Sequence, residues 1–144
     1  MADPRYLTEN YAVSPQITVG DLADLKEQGF KTIVCNRPDA EIPPEAHADV
    51  MEKAARELGL NFVLNPLTHG ALTQTHIDIQ RDAANGEGPV FAYCASGNRC
   101  SILWGLAMAG TVSTEDILSK TTAAGYDLRG LAPQLDAMAN AAKA

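Results

Sequence analysis

Residues 90–106 read VFAYCASGNRCSILWGL. The run Val90-Phe91-Ala92-Tyr93 shows no polar alternation, the pattern of a strand buried on both faces rather than half in water. Such a strand needs helices above and below its sheet, and the rest of the chain supplies them in alternation with further strands. FKTIVCN at 30–36 and LNFVLN at 60–65 are apolar and β-branched enough for strands, and Asn10–Val13 suggests a short edge strand. The fold class predicted is α/β, with a mainly parallel central sheet and helices on both faces.

Punctuation places the helices. Thr18 is the predicted N-cap of a helix through Gln28 that stops at Gly29. Pro43 and Pro44 lead into a helix to Leu58, with Val50, Ala54 and Leu58 on its apolar face and Gly59 closing it. Pro66–Leu72 is a loop, Thr73 caps a helix to about Ala84, and NGEGP at 85–89 is a turn before the strand 90–93. The next helix begins after Arg99 and runs to about Ala109. Ser113, with Asp116 three residues on, opens another that ends near Gly125, and Pro133–Ala142 forms a last one.

Totals exclude several functions. A chain of 144 residues is expected to form one domain, residues 1–144. Its net charge of −7 argues against nucleic acid or an anionic membrane as partner. The start, Met-Ala-Asp-Pro-Arg-Tyr, lacks the basic region and apolar core of a secretory signal, and the longest apolar stretch, Ile102–Ala109, is too short to span a bilayer. A cytoplasmic protein is expected. Cysteines at 35, 94 and 100 make neither a pairing framework nor the spacing of a structural zinc site, so no metal or other cofactor is expected.

In parallel sheets ligands bind beyond the carboxyl ends of strands, which is where Cys94 falls. Ala95, Ser96, Gly97 and Asn98 are small or turn-tolerant, and Gly97 tolerates positive φ. Their amides, with the unpaired N–H groups and the dipole of the following helix, make an anion-binding nest that favours the thiolate of a cysteine at its rim. Arg99, separated from Cys94 by four residues and placed at the helix start where it can reach back over the loop, offers a planar fork of donors to a tetrahedral oxyanion. A small buried cysteine is the alternative reading of Cys94, but burial accounts for neither the glycine-bearing loop nor the arginine. Cys100 either faces the core or pairs reversibly with an oxidised Cys94. Cys35, inside a strand, reads as packing, and Trp104 and Met108, four apart, as core.

NYAVSPQIT near the start, GFKTIVCNRPDAE at 29–41 and VFAYCASGNRCSILWGL at 90–106 together resemble the phosphatase-like domain of bacterial beta-lactamase-hydrolase-like proteins, within the superfamily of protein tyrosine and dual-specificity phosphatases. The resemblance implies a protein tyrosine phosphatase-like fold, Cys94 as nucleophile, the amides of Ala95, Ser96, Gly97, Asn98, Arg99 and Cys100 as oxyanion cradle, and Arg99 as transition-state clamp. It also implies, for some members, fusion to metallo-hydrolase and persulfide-dioxygenase domains and a link to sulfide metabolism. Two departures stand out. The superfamily places five residues between cysteine and arginine and follows with serine or threonine. Here four intervene and Cys100 follows, with Ser101 one step on, a loop length similar to rhodanese-type sulfurtransferases. The aspartate general acid of dual-specificity phosphatases has no counterpart between Pro66 and Gln74, where His69 is the only titratable group.

Arg37 and Asp39 lie just past a strand end, where they reach the same crevice or else fix the Pro38 loop by a salt bridge or turn. Three functions follow: a cysteine-dependent phosphatase with a covalent thiol intermediate, a sulfurtransferase carrying a persulfide on Cys94, and a non-catalytic anion-binding or thiol-sensing module. The expected partner is a small anionic substrate, a phosphoester or a sulfane-sulfur donor, or a phosphoprotein.

Overall fold

The structure is a computed structural model that describes residues 3–86 and 88–143; Glu87, inside the predicted turn at 85–89, lies outside them. Five strands form one sheet in the order β1-β2-β5-β3-β4: β1 (Arg5–Thr8), β2 (Tyr11–Ser14), β3 (Thr32–Cys35), β4 (Asn61–Leu64) and β5 (Val90–Tyr93). β5 pairs in parallel with β2 and β3, and β4 runs parallel to β3. Among the described residues six α-helices cover it: α1 (Asp21–Glu27), α2 (Ala48–Glu57), α3 (Gln74–Asn85), α4 (Asn98–Met108), α5 (Thr114–Ala123) and α6 (Ala132–Lys143). The mixed α/β class with a mostly parallel sheet is the one the alternating pattern predicts.

The unbroken apolar run of β5 puts that strand at the centre of the sheet. Val90, Ala92 and Cys94 face one hydrophobic cluster with Cys100, Trp104 and Leu106 of α4, whereas Phe91 and Tyr93 face the other, with Leu22, Leu25 and Met51. Burying side chains such as Leu22 and Leu25, each fully shielded, is worth about 2 kcal/mol apiece. The period-2 alternation of β5 therefore aims Cys94 at the first turn of α4. Cys35, on the opposite cluster, packs in the core.

Several sequence expectations are corrected. Residues 10–13 are not an edge strand: β1 pairs antiparallel with β2 and takes that edge itself. A short polar segment with one buried position, Leu7, carries little strand signal. Thr18 is not the N-cap of α1; Gly20 is, because the Asp21 carboxylate accepts from both the Thr18 N–H and hydroxyl and delays the helix. The prolines at 43 and 44 open only a 3₁₀ turn, Pro44–Ala46, and α2 starts after a break at His47. Its buried positions are then Ala48, Met51 and Ala55, and Val50 is 39% exposed, while Ala54 and Leu58 pack only partly. The N-terminus of α2 is tied by Asp39, whose Oδ1 accepts from the Ala48 N–H at 2.8 Å. α4 begins before Arg99, not after it. Thr73 and Ser113 cap α3 and α5 as expected, each accepting from an N–H three residues on. Trp104 is buried and Met108 packs partly against the same cluster. Among the described residues no helix is long and apolar enough to cross a membrane, and no cluster of metal-ligating side chains occurs.

Candidate functional site

Cys94 directly follows β5, and Gly97, at φ +95°, turns the chain into α4. A side chain is excluded at Gly97 twice over, by the positive φ and because an added Cβ would lie 2.1 Å from Tyr126 Oη. Tyr126 closes the loop from outside by donating to Ser96 O at 2.9 Å, while Arg5 donates to the same hydroxyl at 3.1 Å and lies over the ring. The Gly97 N–H donates to Cys94 Sγ at 3.0 Å. The amide of Asn98 goes to Ser96 Oγ rather than to the sulfur. Ser101 turns its hydroxyl back to Gly97 O at 2.9 Å and stiffens the first turn of α4.

The Cys94 thiol is held down to about 5, against an ordinary 9.0. The largest cause is a hydrogen bond from the Cys100 side chain; burial opposes it, and the amides of Cys100, Ser96 and Gly97 add to the lowering. Cys100 is pushed well above its ordinary value, chiefly by burial and then by its bond to Cys94, so it remains a protonated donor. Three amides and one thiol thus all favour the ionised form of a single sulfur. The expectation of a thiol at the rim of the nest is corrected: Cys94 has 0% exposure and lies at the base of the loop.

Arg99 is also placed differently from the expected reach over the loop. Its side chain is 4% exposed and its Nη1 donates to Leu67 O at 2.7 Å. Its two outer nitrogens fork onto Glu41, Nη2 to Oε1 at 2.7 Å and Nη1 to Oε2 at 3.1 Å. The guanidinium is pushed up, first by its hydrogen bond to Glu41, with the nearby Cys94 adding to the rise against the cost of burial. Glu41 is correspondingly held below the ordinary carboxylate range, first by its hydrogen bond to Arg99. Arg37 reaches the same carboxylate at 3.4 Å and Gln16 Oε1 at 3.3 Å. Asp39 is spent on the α2 terminus.

His69 is exposed and makes no hydrogen bond or ion pair among the described residues. Its neighbour His76 organises that loop instead, accepting from the Thr73 N–H through Nδ1 and donating from Nε2 to Pro66 O. Sequence reasoning missed Glu41, Asn36 and Tyr126. Glu41 and Asn36 belong to the GFKTIVCNRPDAE segment, and Tyr126 follows the glycine that ends α5; only their long-range contacts single them out.

A mostly parallel sheet between layers of helices is the fold of protein tyrosine phosphatase-like proteins, and solved structures agree. Tk-PTP in its active form superposes with a TM-score of 0.70 over 95% of this chain and 96% of that one, at 16% identity. A candidate phosphatase from Neisseria meningitidis matches at 32% identity with a TM-score of 0.77, covering 92% of this chain and 96% of that one. The family profile described as beta-lactamase hydrolase-like protein, phosphatase-like domain, covers residues 3–111, and the chain belongs to that family. The beta-lactamase hydrolase-like protein of Agrobacterium fabrum is 32% identical over 125 residues, 85% of this chain and 29% of that protein, so the chain spans less than a third of the length of such relatives. Family and fold support a phosphatase kind of hydrolase.

Proposed function

We propose that the chain is a cysteine-dependent hydrolase of small anionic phosphoesters, acting through the loop Cys94–Arg99. The Cys94 thiolate attacks phosphorus, the oxygen–phosphorus bond to the leaving group breaks, and water then cleaves the thiophosphate to release phosphate and the thiol. Ser96, Gly97 and Cys100 amides and the Arg99 guanidinium stabilise the equatorial oxygens. The observation that carries this reading is the convergence on Cys94 that holds its thiol near 5, because a structural cysteine has no use for an ionised sulfur. A phosphoprotein side chain presents the same group.

The sulfur has no exposed surface, so the reading requires the mouth of the site to shift on binding. Glu41, 31% exposed and occupying the donors of Arg99, is the group an incoming oxyanion would displace. The three free thiols suit a reducing, cytoplasmic setting. The test is turnover of an aryl phosphate with trapping of the phosphorylated cysteine by rapid acid quench; turnover that survives Cys94→Ser ends the proposal.

One observation favours a second reading. Neither His69, exposed and without a hydrogen bond or ion pair among the described residues, nor Glu41, held as a carboxylate, is poised to protonate a leaving group. Sulfur transfer needs no such acid. Cys94 would attack the outer sulfur of a thiosulfonate-type donor, the sulfur–sulfur bond would break with both its electrons leaving on the sulfite, and a persulfide would remain. Mass spectrometry after exposure to thiosulfate distinguishes the readings: one added sulfur on Cys94 supports transfer, and an unmodified cysteine counts against it.

A further inference from the structure

One buried polar side chain touches this site without a part in the chemistry above. Asn36, at the carboxyl end of β3, has no solvent exposure, and its Nδ2 donates to Cys100 Sγ at 3.2 Å while its Oδ1 has no partner. An amide N–H aimed at a sulfur occupies an acceptor site and cannot take the sulfur's own proton. The Cys100 hydrogen is left to its other polar neighbour, the Cys94 sulfur. With the amide reversed, Oδ1 would accept that hydrogen and turn it away from Cys94.

We propose that Asn36 is a positioning residue that sets the direction of a two-step relay, Asn36 Nδ2–H to the Cys100 sulfur and Cys100 S–H to the Cys94 sulfur. The inference rests on the reading of Cys94 as the nucleophile. Asn36 acts through Cys100 and does not itself meet substrate. Its backbone is independently fixed, N–H to Tyr93 O and carbonyl to the Leu67 N–H, so the side chain is presented at a constant height above β3.

Other groups facing Cys94 do not supply this effect. Tyr11 from β2, Cys35 from β3 and Tyr126 after α5 are all raised by burial and stay neutral, and Arg99 brings a positive charge that is paired with Glu41. Cys100 is the largest single cause of the lowered Cys94 thiol, which makes the orientation of its hydrogen consequential. A hydroxyl at position 100 would serve as well. A methyl would not.

The experiment is a titration of thiolate ultraviolet absorbance, taken as the difference from a Cys94→Ser chain carrying the same second substitution. The wild-type midpoint is expected near 5. Asn36→Leu should raise it by about one pH unit, Asn36→Asp by more because the new carboxylate accepts the Cys100 proton, and Cys100→Ala by one to two units, roughly. Cys100→Ser should stay within a few tenths, roughly, of wild type. Asn36→Leu with Cys100→Ala should raise the midpoint no further than Cys100→Ala alone, since one residue acts through the other. An unchanged midpoint in a folded Asn36→Leu chain, or additive effects in the double variant, overturns the relay. Should Asn36→Leu not fold, Asn36→Asp carries the same test, and a midpoint at or below wild type overturns it. Aryl-phosphate turnover is read in parallel on the unsubstituted chain, so a failed relay with intact turnover is distinct from a failed hydrolase.

Discussion

Two strand-to-helix loops leave the same end of the sheet, and they are built for different work. The β5–α4 loop and the first turn of α4 together hold the Cys94 thiol down, the Gly97 amide through a direct hydrogen bond and Cys100 as the largest cause. Between β4 and α3, the loop gives the site a single carbonyl, Leu67 O on Arg99, and its titratable side chain, His69, faces solvent. The first loop stabilises negative charge. The second contributes nothing that gives up a proton. On the proposed reading, the difference teaches that such a chain would hold an anionic adduct on Cys94 but leave protonation of the departing group to water, which suits activated esters and sulfane sulfur better than alkyl phosphates.

The largest test of that contrast is Cys94→Ser. Aryl-phosphate turnover should fall to background in a colorimetric assay, and any residue of turnover would detach the first loop from the chemistry. The same substitution should change stability against pH. Because the folded thiol sits near 5 and its ordinary value is 9.0, the unfolded chain binds one more proton between those values. Cys94 therefore adds stability that is fully present above 9.0 and lost as pH falls through about 5. Denaturant midpoints should rise with pH across that window in the wild type and flatten in Cys94→Ser.

Next in size is Gly97→Ala, which forces a positive φ on alanine and a methyl into Tyr126. A loss of about 3 kcal/mol is expected from the two penalties together. Adding Tyr126→Ala should reduce the cost of the glycine change to about 1–2 kcal/mol, the backbone share alone; a cost unmoved by removal of the ring would show that the tyrosine does not limit the turn. A smaller effect is expected of Glu41→Ala, which strips a nearly buried arginine of its partner. Stability should drop by about 1–2 kcal/mol, and inorganic phosphate should restore more of it in the variant than it adds to the wild type, as read by thermal melting. Equal stabilisation of both would mean Glu41 does not stand where the anion binds.

The smallest effect belongs to the second loop. His69→Ala should leave turnover and its pH dependence within about twofold of wild type, since the imidazole is exposed and makes no hydrogen bond or ion pair among the described residues. A lost acid limb in that variant would give the β4–α3 loop a role that its geometry does not show.

Much of this arrangement was legible because it is local. The unbroken apolar run before Cys94 marked a strand buried on both faces, and Gly97 marked a turn that takes positive φ. What escaped the sequence depends on partners far along the chain. Arg99 and Glu41 are 58 residues apart, and Asn36 and Cys100 are 64 apart. The register of α2 slipped for the same reason: its terminus is held by Asp39, nine residues earlier, and not by the adjacent prolines. β1 escaped because an edge strand with a single buried residue has no apolar face to read.

The central claim is that Cys94 is an ionised, reactive sulfur despite its position at the base of the loop. Iodoacetamide alkylation followed against pH, with the modified residue located by mass spectrometry, tests it directly. The account expects carbamidomethylation at Cys94 ahead of Cys35 and Cys100, with a rate that is half-maximal near 5. A Cys94 that stays unmodified at every pH, or that reacts only as the solution approaches 9.0, would contradict it.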